Sequence, residues 1–297
     1  MKAFKLLAFF AFIFLCSTKS SGQYYYDDRS LYVEFGAGIG AMNSITDIGG
    51  ANSDKPFYVN EIRPQNFKFC TSVYGGVMYK DYIGARIEGT WGQVASSDAS
   101  ITSTSSLNLI TKNRRNLSFR SDISEVSLLI EFHPFQVKYR PEGPLKISPY
   151  VLAGVGWFNF NPQTYYNGQY VNLQPLSIEG QGFSEFPDRK PYKLSQSNIP
   201  FGIGVRYELT SQFDIRFEYV HRKLFTDYLD DASSRKNIDP ALYDKYLTPV
   251  KAKFASALAN PSIDGKNPPR RANPDNNDSY MTFSLKVGIA IGRTYDR

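Results

Sequence analysis

Only two imidazoles, His133 and His221, occur in the 297-residue chain, and neither has a second histidine at metal-ligand spacing. A Ser/His/Asp lipase or an Asp/His protease would draw on His221 and the acids near it, but no spacing in the chain marks such a set. Thr226, Asp227, Tyr228, Leu229, Asp230 and Asp231 bring three carboxylates together, the hard oxygen donors that calcium takes. Their spacing is not that of a diagnostic calcium loop, and the simpler expectation is a solvated acidic turn. Gly36, Gly38 and Gly40 fit a loose dinucleotide-binding fingerprint, yet the sequence around them alternates like a strand and no helix follows. Glycine in a strand more simply relieves crowding. Asn116-Leu117-Ser118 and Asn277-Asp278-Ser279 match glycosylation sequons by coincidence if the source is bacterial. No catalytic residue, metal site or cofactor is predicted, so the expectation is a protein that is not an enzyme.

The charges of interest recur instead at every second position, opposite apolar residues. Leu31, Val33, Phe35, Ala37, Ile39 and Ala41 share one face of a first strand, with Tyr32, Glu34, Gly36, Gly38 and Gly40 on the other. A second strand, about 66–80, sets Phe67, Phe69, Val73, Val77 and Tyr79 against Lys68, Cys70, Ser72 and Tyr74. A minimal turn at Lys80-Asp81 leads to a third, where Ile83, Ala85, Ile87 and Trp91 oppose Arg86, Glu88 and Thr90. A fourth, about 122–135, places Val126, Leu128, Ile130 and Phe132 opposite Glu125, Ser127 and Glu131. The fifth, about 147–158, is blurred by Tyr150 and Leu152 on its inner face. The sixth, about 198–209, opposes Ile199, Phe201, Ile203, Val205 and Tyr207 to Arg206 and Glu208. The seventh opposes Phe213, Ile215, Phe217 and Tyr219 to Asp214, Arg216 and Glu218, and the eighth Met281, Phe283, Leu285, Val287, Ile289 and Ile291 to Lys286. A period of two with one apolar face is what a strand between lipid and a lumen requires.

The gaps between these strands alternate short and long, which is the signature of an antiparallel barrel in an outer membrane. The sequence therefore predicts an all-β protein, an eight-stranded antiparallel transmembrane β-barrel with long outer loops at 43–65, 95–121, 159–197 and 223–278. Closure removes the sheet edges that hydrocarbon cannot satisfy. A soluble lipocalin-like barrel is the alternative, but its apolar faces would point inward and its loops would rarely run this long. Eight strands leave a lumen wide enough only for side chains. Glu34, Arg86, Glu88, Glu125, Glu131, Arg206, Glu208, Arg216, Glu218 and Lys286 are expected to pair there as a polar plug, the alternative being an ion path. Small turns at 80–82, 137–146 and 210–212 and the segment 23–30 would face the periplasm. A helix-like stretch at 240–259 is expected inside the last loop, ended by Asn260-Pro261.

Residues 1–22 read as a secretory leader: Lys2 and Lys5 precede the apolar stretch 6–15, and Ser20-Ser21-Gly22 offers small residues for cleavage. Cys16 follows Leu15 rather than the small residue a lipidation signal wants. Removing Lys2, Lys5 and Lys19 takes three from the formal charge of +6, and no concentrated basic face is left for nucleic acid. Cys70 would then stand alone, with no partner for an internal disulfide. The expected domains are the leader, 1–22, and the barrel, 23–297, and the expected partners are outer-membrane lipid and no nucleic acid.

Four segments also carry a family resemblance. They run from Ser148 to Gly156, from Asn198 to Tyr207, from Phe225 to Asp231 and from Asn277 to Tyr280, with Thr226-Asp227-Tyr228-Leu229-Asp230-Asp231 the most distinctive. Together they resemble a Bacteroidota outer-membrane barrel family that includes PorG of the type IX secretion system. The resemblance covers most of the mature chain. It implies an integral outer-membrane protein of a Gram-negative bacterium that works with a periplasmic ring built from PorK and PorN. Another role open to such a barrel is that of a surface adhesin or an envelope-stability protein acting through its outer loops.

Overall fold

The computed structural model describes residues 31–49, 64–101, 107–137, 145–234, 236–263 and 272–293. The leader, the segment 23–30, most of the first outer loop, the turn around Pro141 and the last four residues lie outside them. Ten strands are found among the described residues: β1 (Leu31–Ile45), β2 (Lys68–Tyr79), β3 (Ile83–Ser97), β4 (Ser118–Phe132), β5 (Ile147–Asn159), β6 (Pro162–Tyr166), β7 (Gln169–Asn172), β8 (Ser195–Glu208), β9 (Phe213–Leu224) and β10 (Ser279–Ile291). Eight of them, in the order β3-β2-β1-β10-β9-β8-β5-β4, are antiparallel neighbours, and pairing of β3 with β4 closes the ring. The expected eight-stranded barrel is thus formed.

Its outward face is apolar along every wall. Phe35, Ile39, Phe69, Ile87, Trp91, Leu128, Val155, Trp157, Ile203, Phe217 and Leu285 are all exposed. A belt of this kind is unstable in water and suited to hydrocarbon. At one end the connections are tight. Lys80 (φ 46°) and Asp81 (φ 61°) form the two central residues of a turn closed by the Tyr82 N–H donating to the Tyr79 carbonyl at 3.2 Å. That two-residue, left-handed geometry matches the strand twist. At 210–212, the Leu209 N–H donates to the Phe213 carbonyl at 2.9 Å, and the Thr210 hydroxyl accepts from the Gln212 and Phe213 amides.

The other end carries most of the non-barrel mass. Both β3 and β4 run past the apolar belt and are joined through α1 (Leu107–Arg115), so β4 starts four residues earlier than the alternation suggested. In the third loop β6 and β7 form a hairpin around Asn167 (φ 48°) and Gly168 (φ 84°), and β6 pairs with the extended start of β4. Asn-Gly is a strong hairpin signal, though the eight expected strands did not include this pair. The single helical stretch expected at 240–259 is two helices, α2 (Ala241–Tyr246) and α3 (Pro249–Ala259). The reason is Pro249: Thr248 before it is extended (ψ 152°), as a residue preceding proline prefers, and this breaks the first helix.

These loops pack on one another. Leu173, Leu176, Ile178 and Phe183 from the third loop are buried with Ile238, Tyr243, Ala252, Ala255 and Leu258 from the fourth. Tyr243 anchors the pair by donating its hydroxyl to the Ile178 carbonyl at 2.6 Å. A second apolar cluster, including Met42, Phe158, Phe160, Leu229 and Tyr280, joins this cap to the barrel rim.

Candidate functional site: the luminal ion network and the outer cap

Since side chains alternate along a strand, each inward position delivers its charge to one axial level of the lumen. At the central level Arg86 reaches Glu131 (2.9 Å), Glu218 (2.8 Å) and Glu88 (3.1 Å). Arg216 bridges Glu131 (2.9 Å), Asp214 (3.0 Å) and Glu34. Lys286 lies 2.5 Å from Glu88 and 2.7 Å from Glu218. Tyrosines complete the layer, Tyr74 donating to Glu34 at 2.6 Å and Tyr150 to Glu218 at 2.5 Å. Gly36 and Gly204 are required here, because a Cβ on either would collide with the ring of Tyr74 or Tyr150.

Nearer the tight turns, Arg206 donates to Tyr32 (3.0 Å), Asp81 (3.3 Å) and Glu208 (3.2 Å), and Arg293 pairs with Asp81 at 2.6 Å and with Glu208. Nearer the cap, Arg222 donates to Glu125 (3.0 Å) and Thr282 (2.5 Å), while Tyr280 donates to the same carboxylate at 2.7 Å. All ten luminal charges named from the sequence are buried at these three levels. A void of about 10 Å³ among Glu34, Tyr74, Arg86, Glu131 and Arg216 is room for about one water.

The lumen is not filled by charge alone. Leu129, Leu152 and Val220 pack with the Tyr150 ring as an apolar cluster inside it. Tyr150 and Leu152, which blurred the fifth strand's pattern, therefore belong on the inner face. Sequence reasoning also left Asp81, Arg222, Tyr280 and Arg293 out of the network, and placed Tyr32 on the inner face without giving it a part there. Arg222 was within reach, since it continues the inward parity of Asp214, Arg216 and Glu218. Arg293 lies beyond the end of β10 and carries no such signal.

The motif at 226–231 is not a solvated acidic turn. Thr226, Asp227, Leu229, Asp230 and Asp231 are all buried, and Tyr228 is half-buried. The segment knots the outer loops together. Asp230 accepts from the amides of Ala232 (2.9 Å) and of Ile48 in the first loop (3.1 Å). Asp231, at φ 61°, accepts the Tyr192 hydroxyl of the third loop at 2.7 Å. Asp278 accepts the Leu229 amide at 2.9 Å, and its own amide donates to the Thr226 carbonyl at 3.1 Å. Tyr228 stacks on Tyr192, ring centroids 4.7 Å apart. Beside the motif, Glu179 of the third loop gathers the amides of Ser233 and Ser234, and the Asn273 amide donates to Asp47. The amides at 226–234 thus meet carboxylates contributed by distant parts of the chain, which local sequence cannot reveal.

This acidic group sits in an unusual electrostatic setting. Burial first, and then the neighbouring Asp230 and Asp47, push the Asp227 carboxyl up to about 9. Burial and Asp47 raise Asp230 to about 7. Burial, with Asp230, Asp227 and Asp47 after it, holds Asp278 well above the usual carboxylate range. Among the described residues no three histidine, cysteine or acidic side chains are arranged to hold a metal ion. The buried Arg115 of α1 is committed to Asp98 through bonds of 2.7 and 2.9 Å and to the Asp47 carbonyl at 3.0 Å.

His133 and His221 lie apart. His133, just past β4, is buried against the Tyr150 ring and shares a 2.9 Å hydrogen bond with Ser148. His221 falls on the outward parity of β9, its ring 5.1 Å from that of Phe201, so Arg222 and Glu125 point the opposite way.

A family model described as "Outer membrane protein beta-barrel domain" matches residues 8–241. Comparison with curated proteins gives no match. Among solved structures, the chain is similar to Ail, the attachment invasion locus protein of Yersinia pestis, in complex with the heparin analogue sucrose octasulfate. Identity there is 11%, with 88% of this chain and 99% of that chain covered and a TM-score of 0.38. Neisserial surface protein A (NspA) matches at 11% identity, covering 88% and 96%, with a TM-score of 0.35. A major outer membrane protein from Thermus thermophilus matches at 12%, covering 87% and 99%, with a TM-score of 0.36.

Proposed function

Because this chain belongs to the outer-membrane protein β-barrel family, and so is integral to the outer membrane, we propose that it is a non-enzymatic, non-conducting scaffold there. In this reading it is a PorG-like component of a type IX protein secretion machinery, associated with a periplasmic ring of PorK and PorN. Its leader, 1–22, would be removed on export, leaving 23–297 as a single barrel domain. The observation that carries the scaffold reading is the filled lumen, in which Arg86, Arg216 and Lys286 are locked against five carboxylates from opposing walls. A protein closed in this way acts through its surfaces and not by passing a solute.

The secretion role is supported by the resemblance carried at 226–231 and the three segments around it. Contact with a periplasmic ring would fall to the turns at 80–82, 137–146 and 210–212 and to the segment 23–30. Deletion of the gene should abolish release of secreted cargo and disperse the ring subunits. Crosslinking that recovers neither PorK nor PorN, together with normal secretion, would sink this role and leave the scaffold. One observation favours a second reading, a surface adhesin or envelope-stability barrel. The third and fourth loops share an apolar core of their own, so the outer end presents a preformed surface. Normal secretion with altered surface attachment in the same deletion strain would select it.

A further inference from the structure

On the β3–β4 wall the outward residues change character at a definite height. From the tight-turn end the paired rows run Ile83 with Phe132, Ala85 with Ile130, Ile87 with Leu128, Gly89 with Val126 and Trp91 with Ser124. Beyond Trp91 the rows become Gln93 with Asp122, Ala95 with Arg120 and Ser97 with Ser118. Eight residue steps from Ile83 to Trp91 span about 27 Å along the strand. Barrel tilt brings this down to roughly 20 Å across the bilayer, close to the apolar band of outer-membrane barrels. Trp91 therefore marks the upper interface, and the polar rows stand at the level of outer-leaflet head groups.

At that level the β6–β7 hairpin leans over the wall and encloses a groove of about 240 Å³, lined among others by Lys68, Gln93, Arg120, Gln163, Tyr165 and Tyr170. Arg120 is held in place: its guanidinium lies 3.1 Å from the centre of the Tyr170 ring, and its Nε donates to Gln163 Oε1 at 3.1 Å. Gln163 is fixed in turn by donating to Asn172 at 2.7 Å. Gln93 donates to Asp122 at 2.7 Å. Neither Arg120 nor Lys68 forms an ion pair with a carboxylate among the described residues, in contrast to the cations of the lumen. A guanidinium oriented by stacking, with its terminal N–H groups uncommitted to a carboxylate, suits a phosphate oxygen. The exposed Tyr165 and Tyr170 rings, 5.1 Å apart, add amphipathic faces against which a sugar can lie.

We propose that this groove binds a phosphorylated sugar, the chemistry carried by the head groups of outer-leaflet glycolipids. Its position directly above Trp91 lets acyl chains lie along the apolar wall while the head group enters between Lys68 and Arg120. The inference rests on the membrane location and is independent of any secretion role.

The test uses the full mature chain in phosphatidylethanolamine nanodiscs, with or without bisphosphorylated lipid A, and with soluble glucosamine 6-phosphate as a second probe. Binding is read by native mass spectrometry, and folding by heat-modifiable migration. The expected result is retention of lipid A that falls by about tenfold or more in the Arg120→Gln/Lys68→Gln pair, because two charge-assisted contacts are lost. Lys251→Gln, which removes an exposed cap charge, should leave it unchanged. Tyr170→Ala, at an exposed hairpin position, should weaken retention without touching the barrel if the paired variant fails to fold. Binding of lipid A alone identifies a lipid source, and binding of both probes a soluble or shared one. Retention equal in the wild type and the groove variants, or lost equally in Lys251→Gln, would overturn the site.

Discussion

In the central layer of the lumen, Glu34, Glu88, Glu131, Asp214 and Glu218 each lie within 3.1 Å of a guanidinium or ammonium group. At the rim of the cap, Asp230 and Asp278 are buried as deeply but are met by backbone amides from Ile48, Ala232 and Leu229. Neither carboxyl oxygen of Asp227 meets a hydrogen-bond donor in good geometry among the described residues. Both regions remove carboxylates from water, and they compensate the loss differently. In the lumen, attraction between opposite charges stands against desolvation. In the cap, desolvation and mutual repulsion win, and the carboxyls retain protons that they would lose in water. The barrel is thus locked by ions, whereas the acidic knot around Asp230, apart from the Arg115–Asp98 pair beside it, is tied by hydrogen bonds whose strength depends on protonation.

The largest expected effect comes from breaking the lumen. Arg216 touches Glu34, Glu131 and Asp214 at once, so Arg216→Ala leaves three carboxylates short of a partner. Removing one member of a buried ionic network costs about 3–5 kcal/mol. Urea unfolding in lipid vesicles, followed by fluorescence of Trp91 and Trp157, should show a loss of that order. A change below about 1 kcal/mol, the level of an exposed pair, would mean that water reaches the network and that the two regions do not differ as described.

The two regions also differed in how far they could be read from sequence. The luminal set was legible because strand geometry converts a period of two into a common interior: once Ile83, Ala85 and Ile87 face out, Arg86 and Glu88 must face in. What alternation could not give was the identity of the partners. Lys286 meets Glu88 from across 198 residues, and Asp81 is drawn into the network from a turn. The cap has no such rule. Asp230 reads as solvated because acidic residues beside a strand end usually are, and nothing near it in sequence announces Ile48, 182 residues away. Tyr243, Leu176 and Leu258 lie in segments without a barrel period, so the core they share emerges only when the loops fold together. Proline chemistry was the exception: Pro249 marks the break between α2 and α3 locally, inside the stretch expected as one helix.

The protonated state of the cap predicts a pH dependence opposite to that of ordinary paired carboxylates. In the unfolded chain an aspartate titrates near about 3.9, whereas in the folded cap Asp230 titrates at about 7 and Asp227 at about 9. The folded state therefore binds more protons between these values, and its stability falls as pH rises. The contribution is complete below about pH 4 and is lost as pH climbs through the folded values. Hydrogen-exchange protection of the Ile48 and Leu229 amides should drop by about tenfold or more from pH 5 to pH 8.5. Asp227→Asn should flatten that slope, and the unfolding transition of the barrel should not follow it. Protection that holds steady or rises with pH would remove the electrostatic contrast between the regions.

The smallest expected effect checks whether burial, rather than the presence of an ion pair, sets the scale. Lys245 of α2 lies 2.6 Å from Glu185 of the third loop, as close as Lys286 lies to Glu88, but the Lys245 side chain is 57% exposed against 1% for Lys286. Water and salt already solvate both partners of the exposed pair, and fixing two long side chains offsets much of what their attraction supplies. Ser184 and Tyr246 also hydrogen-bond beside it, keeping the two loops in register without the lysine. Lys245→Ala should therefore leave both barrel unfolding and cap exchange within experimental error at about 0.15 M salt. If it instead loosens the cap as Asp227→Asn alters its pH response, the cap must be held at its surface as well as at the buried knot around Asp230. The contrast with the lumen would then reflect where each region keeps its ion pairs rather than whether it uses them.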